Sequence, residues 1–328
     1  MVSTRSFLLA ACALPLSLVA CGGSSEDSPV VPEGTHYGYV VSKAFVPASN
    51  KQATDYGLDL GAAKSGTPDG IVDNKLGTAL AALAGYNFNV QGTVDTAIAK
   101  GSIILLVDFQ TKDFQNSSAA GLSVKLGANP VPAACSSPTD TTCGHHLVGG
   151  AMFSIAADSP PDALVSGKIV NGTFNGGPGD IALQIALGST EPITLSLLNA
   201  RAKATAITDA GMTATVGGAL SLTDLNMSVL PAIQVQVKSI LDADCGAVAD
   251  RVPLGCGCKT ASSGTILGLF DGDIAGTAKD CTISLEEIQG SALIKSLLGP
   301  DVCSTKSCTA PDALSIGIQV QTVKAILP

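Results

Sequence analysis

The sequence predicts an α+β protein: a mainly antiparallel β-sheet, laid out as a meander, with short helices at its N-terminal and C-terminal ends. Three observations lead there. β-prone runs alternate with turn residues through the middle of the chain, Leu and Ala recur at helical spacing before them, and a capped helical pattern follows them. Residues 76–84 repeat Leu and Ala three to four apart, and 94–98 form a second short helix that Gly101 stops. Residues 102–110, 122–126 and 152–156 then read as strands. Four further runs, 163–174, 181–187, 193–206 and 212–220, are separated by the turn signals NGG, GST and DAG, which gives a meander of four or more strands. Ser221-Leu222-Thr223-Asp224 is a capping box, and Pro231 must sit in the first turn of a second helix or kink a single one. Residues 233–237 alternate, so a strand is open there as well. Residues 265–270 and 284–298 make a helix-loop-helix, the second helix opened by the capping box Ser284-Leu285-Glu286-Glu287, and 312–327 alternate as a last strand.

Composition narrows the class. Of 328 residues 46% are hydrophobic, enough for a sizeable core, but only 4% are aromatic and none is Trp, so Ala, Val, Leu and Ile must fill it. The net charge is −9 with no basic cluster along the chain, which argues against nucleic acid or an anionic lipid surface as a partner. So few aromatics also leave none to make the interfacial girdles of a transmembrane β-barrel. Residues 37–328 are read as a single α+β domain, with the helix-loop-helix as a subregion at 264–298.

The first twenty residues have the layout of an export signal, with Arg5 as the positive end and 7–19 as an apolar stretch too short to span a bilayer. Leu18-Val19-Ala20-Cys21 resembles the lipobox of bacterial lipoproteins. That resemblance implies cleavage before Cys21, a diacylglyceryl group on its thiol, and a mature chain of 308 residues tied to the membrane through lipid. Gly22 in place of Asp after the cysteine suggests, by the sorting rules of such proteins, the outer membrane of a Gram-negative envelope. Residues 22–36, rich in Gly, Ser, Pro and acids, read as a flexible tether. An ordinary secretory signal with an incidental cysteine is the other reading.

Cysteine arithmetic agrees with export. Setting aside Cys12 and Cys21 leaves Cys135, Cys143, Cys245, Cys256, Cys258, Cys281, Cys303 and Cys308, an even set. Cys135 with Cys143 and Cys303 with Cys308 are close in sequence among turn formers and should bridge locally, while the other four can pair in three ways. Metal binding competes with this reading at Cys256-Gly257-Cys258 and at Cys143-Gly144-His145-His146, though neither has the spacing of a structural zinc site.

The chemistry-bearing signal is acidic. Asp280 through Glu287 matches the second half of an EF-hand calcium loop, with Asp280 at position 5, Ile283 at 8 and Glu287 at 12. The first half is out of register: Asp271 and Asp273 lie upstream as though the loop had been expanded, and Cys281 stands in the glycine position. A solvated acidic loop before a capped helix explains the same residues. Near the N-terminus Asp69-Gly70-Ile71-Val72-Asp73-Asn74 looks like the end of the Asp-rich loops of thrombospondin type 3 and dockerin modules, with Asp59 as a leading ligand and Leu76 where a carboxylate belongs. Calcium is the cofactor these residues suggest.

Along most of the mature chain the residues resemble uncharacterised lipoproteins of myxobacteria-like Gram-negative bacteria. The resemblance rests on the lipobox and on DGIVDNKLG at 69–77, GSIILLVDFQT at 101–111, CGHHL at 143–147, NGTFNGGPGDIALQIAL at 171–187 and SLLGPDV at 296–302. It implies that the half-motifs are eroded calcium loops, and it brings no activity with it. The sequence has no GxSxG elbow, HExxH helix, GxxxxGK[ST] loop or GxGxxG after a strand. His145 and His146 could serve a hydrolase, as could the acidic loop 271–287, but neighbours on an extended chain point to opposite faces. The expectation is a lipid-anchored envelope protein that binds a protein or glycan partner or acts structurally, with weak calcium binding, and an extracytoplasmic hydrolase as the alternative.

Overall fold

A computed structural model describes residues 30–61, 68–84, 90–161, 163–186, 192–246, 248, 255–272, 274, 279–305 and 308–328. Cys21, the signal segment, most of the tether, the GST turn signal and Asp273 therefore lie outside the described residues.

Nine strands are formed: β1 (Thr35–Phe45), β2 (Leu105–Thr111), β3 (Ser117–Val131), β4 (Ala151–Ile155), β5 (Leu164–Val170), β6 (Thr173–Ile185), β7 (Ile193–Thr208), β8 (Gly211–Ser221) and β9 (Ala313–Ile326). All but β4 pair antiparallel in chain order, β3 reaches across to β5, and β9 returns to β1 with Val40 opposite Val323. The sheet is thus a closed eight-stranded antiparallel barrel, and the expected open meander with helices at its ends is corrected. The strand that closes the ring is β1, whose Tyr39, Val40 and Val41 are all buried, Tyr39 and Val41 in the main core and Val40 in a small core on the outer face. Alternation showed the meander, but alternation carries no information about whether the first and last strands meet.

Inward positions are apolar. Tyr39, Phe109, Phe174, Leu195 and Leu197 are at 0% exposure, with the Phe109 and Phe174 rings edge to face at 5.3 Å. Outward positions carry Lys168, Asn175, Asp180, Thr194, Ser196 and Lys203, all exposed. Apolar inside and polar outside is the reverse of a transmembrane barrel. No described helix is long and apolar enough to cross a membrane.

Turn chemistry moved one boundary. The run 163–174 is two strands, β5 and β6, joined at Asn171-Gly172 with φ of 50° and 74°, the left-handed pair that a two-residue hairpin needs. The NGG signal instead falls inside β6, where the register against β7 shifts. A Cβ at Gly176 would come within 2.5 Å of the Phe174 ring, so the apparent turn residue is there to let an inward aromatic pack.

The helices are not at the chain ends. Helices α1 (Asn50–Asp55), α2 (Lys75–Ala84) and α3 (Val90–Lys100) fill the β1–β2 connection. Helices α4 (Leu222–Asp224), α5 (Leu230–Cys245), α6 (Ala261–Phe270), α7 (Leu285–Gly290) and α8 (Ala292–Leu297) fill the β8–β9 connection, with a π-turn at Leu225–Val229. Because β1 and β9 are antiparallel, both insertions leave from the same end and cap one mouth of the barrel. Among the described residues, the other end has the connection 112–116, the two-residue turns Asn171-Gly172 and Asp209-Ala210, the start of β1 and the end of β9. Ser221 accepts from the Asp224 N–H, Pro231 sits in the first turn of α5, and the full capping box of Ser284 and Glu287 opens α7. Residues 233–237 are helical, with Ile233 and Val237 on the buried face. The 284–298 helix breaks at Ser291, whose ψ of 130° is extended.

All eight candidate cysteines are paired. Cys135–Cys143 and Cys303–Cys308 are the two local bridges, and Cys245–Cys258 with Cys256–Cys281 resolve the remaining four. The strand β4 lies apart from the barrel ladder. It joins the far end of β3 and, in parallel, the last residues of β9, and its Ala151 and Phe153 pack with Val40, Ile104, Leu106 and Ala325 in a small core of their own.

Candidate functional site

The most elaborated polar arrangement is at the capped mouth, where the 58–74 loop meets β9. Asn74, at the N-terminal end of α2, is buried and makes four hydrogen bonds: its Oδ1 accepts from Gly77 and Gly317 N–H, and its Nδ2 donates to the Ala53 and Gly317 carbonyls. That side chain fixes the loop against β9. Asp73 bridges to Leu58 through its backbone and accepts the Leu60 N–H at 2.8 Å on its carboxylate. Asp59 holds the tip, accepting from Asp69 N–H at 3.2 Å and Gly70 N–H at 2.7 Å, and Asp69 accepts from Ile71 N–H. A fourth acid joins from the C-terminal part. Asp301 is held by the Ser315 N–H and hydroxyl at 2.7 and 2.5 Å, and Ser315 in turn accepts the Lys75 N–H.

Burial and crowding show in the titration of these groups. Loss of solvent pushes Asp73 up to about 6, and the charges of Asp301, Asp69 and Asp59 push the same way. Burial raises Asp301 too, against its Ser315 hydrogen bonds and the Lys75 charge. The chain therefore brings together Asp59, Asp69 and Asp73 as read from sequence and adds Asp301. The four offer only hard oxygen donors, the set a calcium ion takes. Two groups of three possible ligand atoms within 4.8 Å occur among the described residues, Asp244 with Cys245 and Cys258, and Cys256 with Asp271 and Cys281. The acidic quartet forms no such group, and both triplets consist of an aspartate beside sulfurs already committed to disulfides.

The second acidic loop is put together differently. Asp271 and Glu287 are 7% and 3% exposed. Asp271 accepts the N–H groups of Asp280 and Cys281, both at 3.0 Å. Glu287 accepts from Gly272 N–H and from the Ser284 N–H and hydroxyl at 2.7–2.9 Å. Asp280 accepts from Thr282. Backbone N–H groups thus engage Asp271, Asp280 and Glu287, and Cys256–Cys281 holds the turn.

The histidines diverge. His145 Nε2 lies 3.2 Å from Ser136 Oγ and 3.1 Å from Asp140 Oδ2. Serine and aspartate thus meet the same ring nitrogen, whereas a nucleophile relay needs one on each. Hydrogen bonds from Ser136 and Thr142, and then His145, hold the Asp140 carboxyl well below the usual carboxylate range. His146 turns the other way and is fully buried.

An almost wholly apolar cavity of about 40 Å³ lies between the mouth and the cap, bounded by Phe45, Leu80, Val94, Leu105, Ile185 and Ile316. It is a packing void, a few water volumes in size. Scans of family models, of curated proteins and of solved structures each gave no match to this chain.

Asp301 and Asn74 were not singled out from sequence. Asp301 follows Pro300 more than two hundred residues from its acidic neighbours, and no local pattern marks that meeting. Asn74 ends the DGIVDN motif and precedes a helix, so the helix-start preference of Asn was the signal that could have found it.

Proposed function

We propose that this protein is an exported lipoprotein, anchored through Cys21 in the outer membrane, that serves as a binding or structural scaffold and not as a hydrolase. The observation that carries the reading is the complete pairing of eight cysteines in four disulfides downstream of the lipobox-like Leu18-Val19-Ala20-Cys21, since such bridges persist in oxidising compartments. The resemblance to lipoproteins of myxobacteria-like bacteria points the same way. On this reading the tether joins the barrel at its short-turn end, and the helix-bearing mouth is the end presented to a protein or glycan partner. The hydrolase alternative finds no relay at His145, and Asp271, Asp280 and Glu287 are engaged by backbone N–H groups. Metabolic labelling with a palmitate analogue tests the reading: the wild type should be labelled and Cys21→Ala should not. Label retained in Cys21→Ala, or none in the wild type, rejects it.

One observation favours calcium as part of this function: Asp73 is costly to ionise, first because it is buried and then because Asp301, Asp69 and Asp59 lie near it. A divalent cation at Asp59, Asp69, Asp73 and Asp301 would lower that cost. Because no cage is preformed, affinity should be on the order of 10⁻⁴ to 10⁻³ M, as in extracellular modules.

A further inference from the structure

His146 has no exposed surface, and neither ring nitrogen has a hydrogen-bond partner. Its ring lies 6.1 Å from that of Phe153 on β4, and its Cε1 comes close to Gly101. Two orphaned ring nitrogens are costly in a folded protein, and an apolar residue of the same size would pack there without that cost. The ring is seated where the 132–156 segment meets the barrel wall. That segment is cross-linked by Cys135–Cys143, its Gly144 and His145 N–H groups donate to the Ala134 carbonyl, and β4 covers the outward side chains Val40, Ile104 and Leu106. It is an added layer, attached through the end of β3 and two residues of β9.

The charged groups around it are engaged elsewhere. His145 is on Ser136 and Asp140. On β1, His36 pairs with Asp108, the Tyr39 hydroxyl donates to the Thr208 carbonyl, and Lys43 lies over the Phe45 ring. Tyr37 packs against Phe114 with the rings tilted. The β4 sequence AMFSI and the 101–104 stretch GSII hold no titratable residue; Lys100 precedes that stretch, and on β9 Lys324, whose carbonyl accepts the Gly150 N–H, has its ammonium on Asp209. Among the described residues no carboxylate bonds to the His146 ring.

We propose that His146 is an acid-sensitive latch: its ring is protonated only when the 132–156 segment leaves the barrel wall, and that release uncovers the apolar outer face of β1 and β2. Burial, with His145 beside it, holds the imidazole below the ordinary histidine range. Above the ordinary value of 6.5 the ring is neutral in either position. Below it, the ring in water takes up a proton that the buried ring does not. The released form then gains up to about tenfold for each pH unit.

Hydrogen exchange on the mature protein at pH 7.5 and pH 5.5 tests this, with rates corrected for intrinsic chemistry. Amides of β4 should open about tenfold more often at pH 5.5 in the wild type, while those of β7 and β8 hold. In His146→Phe the β4 rates should be the same at both pH values. Unchanged β4 protection in the wild type, or an equal rise in His146→Phe, overturns the proposal. Ring-carbon NMR of the wild type gives an independent arm that needs no variant: a His146 ring neutral at pH 5.5 in the folded protein supports the latch, and one that titrates near 6.5 in place refutes it.

Discussion

Single side chains at the capped mouth do work that their type alone does not announce. Asn74 satisfies four backbone groups, two of them on Gly317, whose missing side chain lets the chain approach Tyr56. Asn74→Leu keeps the volume and orphans all four partners, so a loss on the order of 3–5 kcal/mol in chemical denaturation is expected, against less than about 1 kcal/mol for a comparable change at exposed Asn50. Asp73 should give the 58–74 loop an inverted pH response. Its folded-state value of about 6 is above the ordinary 3.8, so the folded form binds the extra proton. Its stabilising contribution is then full below about pH 4 and lost as pH rises through 6. Asp73→Asn should be more stable than wild type at pH 7 by about 1 kcal/mol after screening, should lack that slope, and should gain less than the wild type from millimolar calcium in thermal melts. Glu287→Ala separates the two acidic loops. It removes the acceptor of Gly272 and Ser284 and should cost about 1–2 kcal/mol equally in calcium and in EDTA, because the residue acts as a cap.

At the scale of elements, legibility followed the range of the interaction. The cap at Ser221, the capping box at Ser284, the place of Pro231 and the two short cysteine bridges all depend on residues within a few positions of one another, and the sequence marks them. The pairing among Cys245, Cys256, Cys258 and Cys281 depends on how α5, α6 and α7 pack, and no spacing rule supplies it. Strand β1 is hard to see in the sequence because its apolar positions Tyr39, Val40 and Val41 run consecutively, one facing outward under β4, so strict alternation is lost. The interrupted calcium motifs show the same limit. Their residues were visible, while the N–H groups that Asp271 and Glu287 accept come from backbone turns that residue types do not encode. The Cys256–Cys281 bridge spans 25 residues and ties the 271–287 loop to the end of α5 through its neighbour Cys258. Replacing both Cys256 and Cys281 by Ser should lower stability by roughly 3 kcal/mol, seen as a lower denaturant midpoint. The barrel strands should keep their exchange protection at low denaturant, since their hydrogen bonds lie outside the loop.

The whole molecule is a barrel with one plain end and one elaborated end, and that polarity follows from closure. Antiparallel order alone would place the 46–104 and 222–312 insertions on one side of an open sheet; the return of β9 to β1 makes them a cap over a mouth, with a core that runs from Tyr39 and Phe109 in the barrel to Ile233 and Ile288 in the helices. Closure brings residues 39 and 324 opposite each other, a pairing that strand propensity cannot specify and that explains why an open sheet was the natural reading of the sequence. The position of the acidic quartet, the seat of β4 and the start of β1 at the short-turn end all depend on it. The most direct test is a cross-link at the seam. Lys43 on β1 and Gln321 on β9 are directly opposed and exposed, at the separation where paired cysteines can bridge. In the Lys43→Cys, Gln321→Cys double variant, oxidation of the folded protein should give an intramolecular 43–321 disulfide in nearly every molecule, found by peptide mapping, with the melting temperature preserved or raised. Two free thiols after oxidation, or bridges formed only between molecules, would contradict the closed barrel.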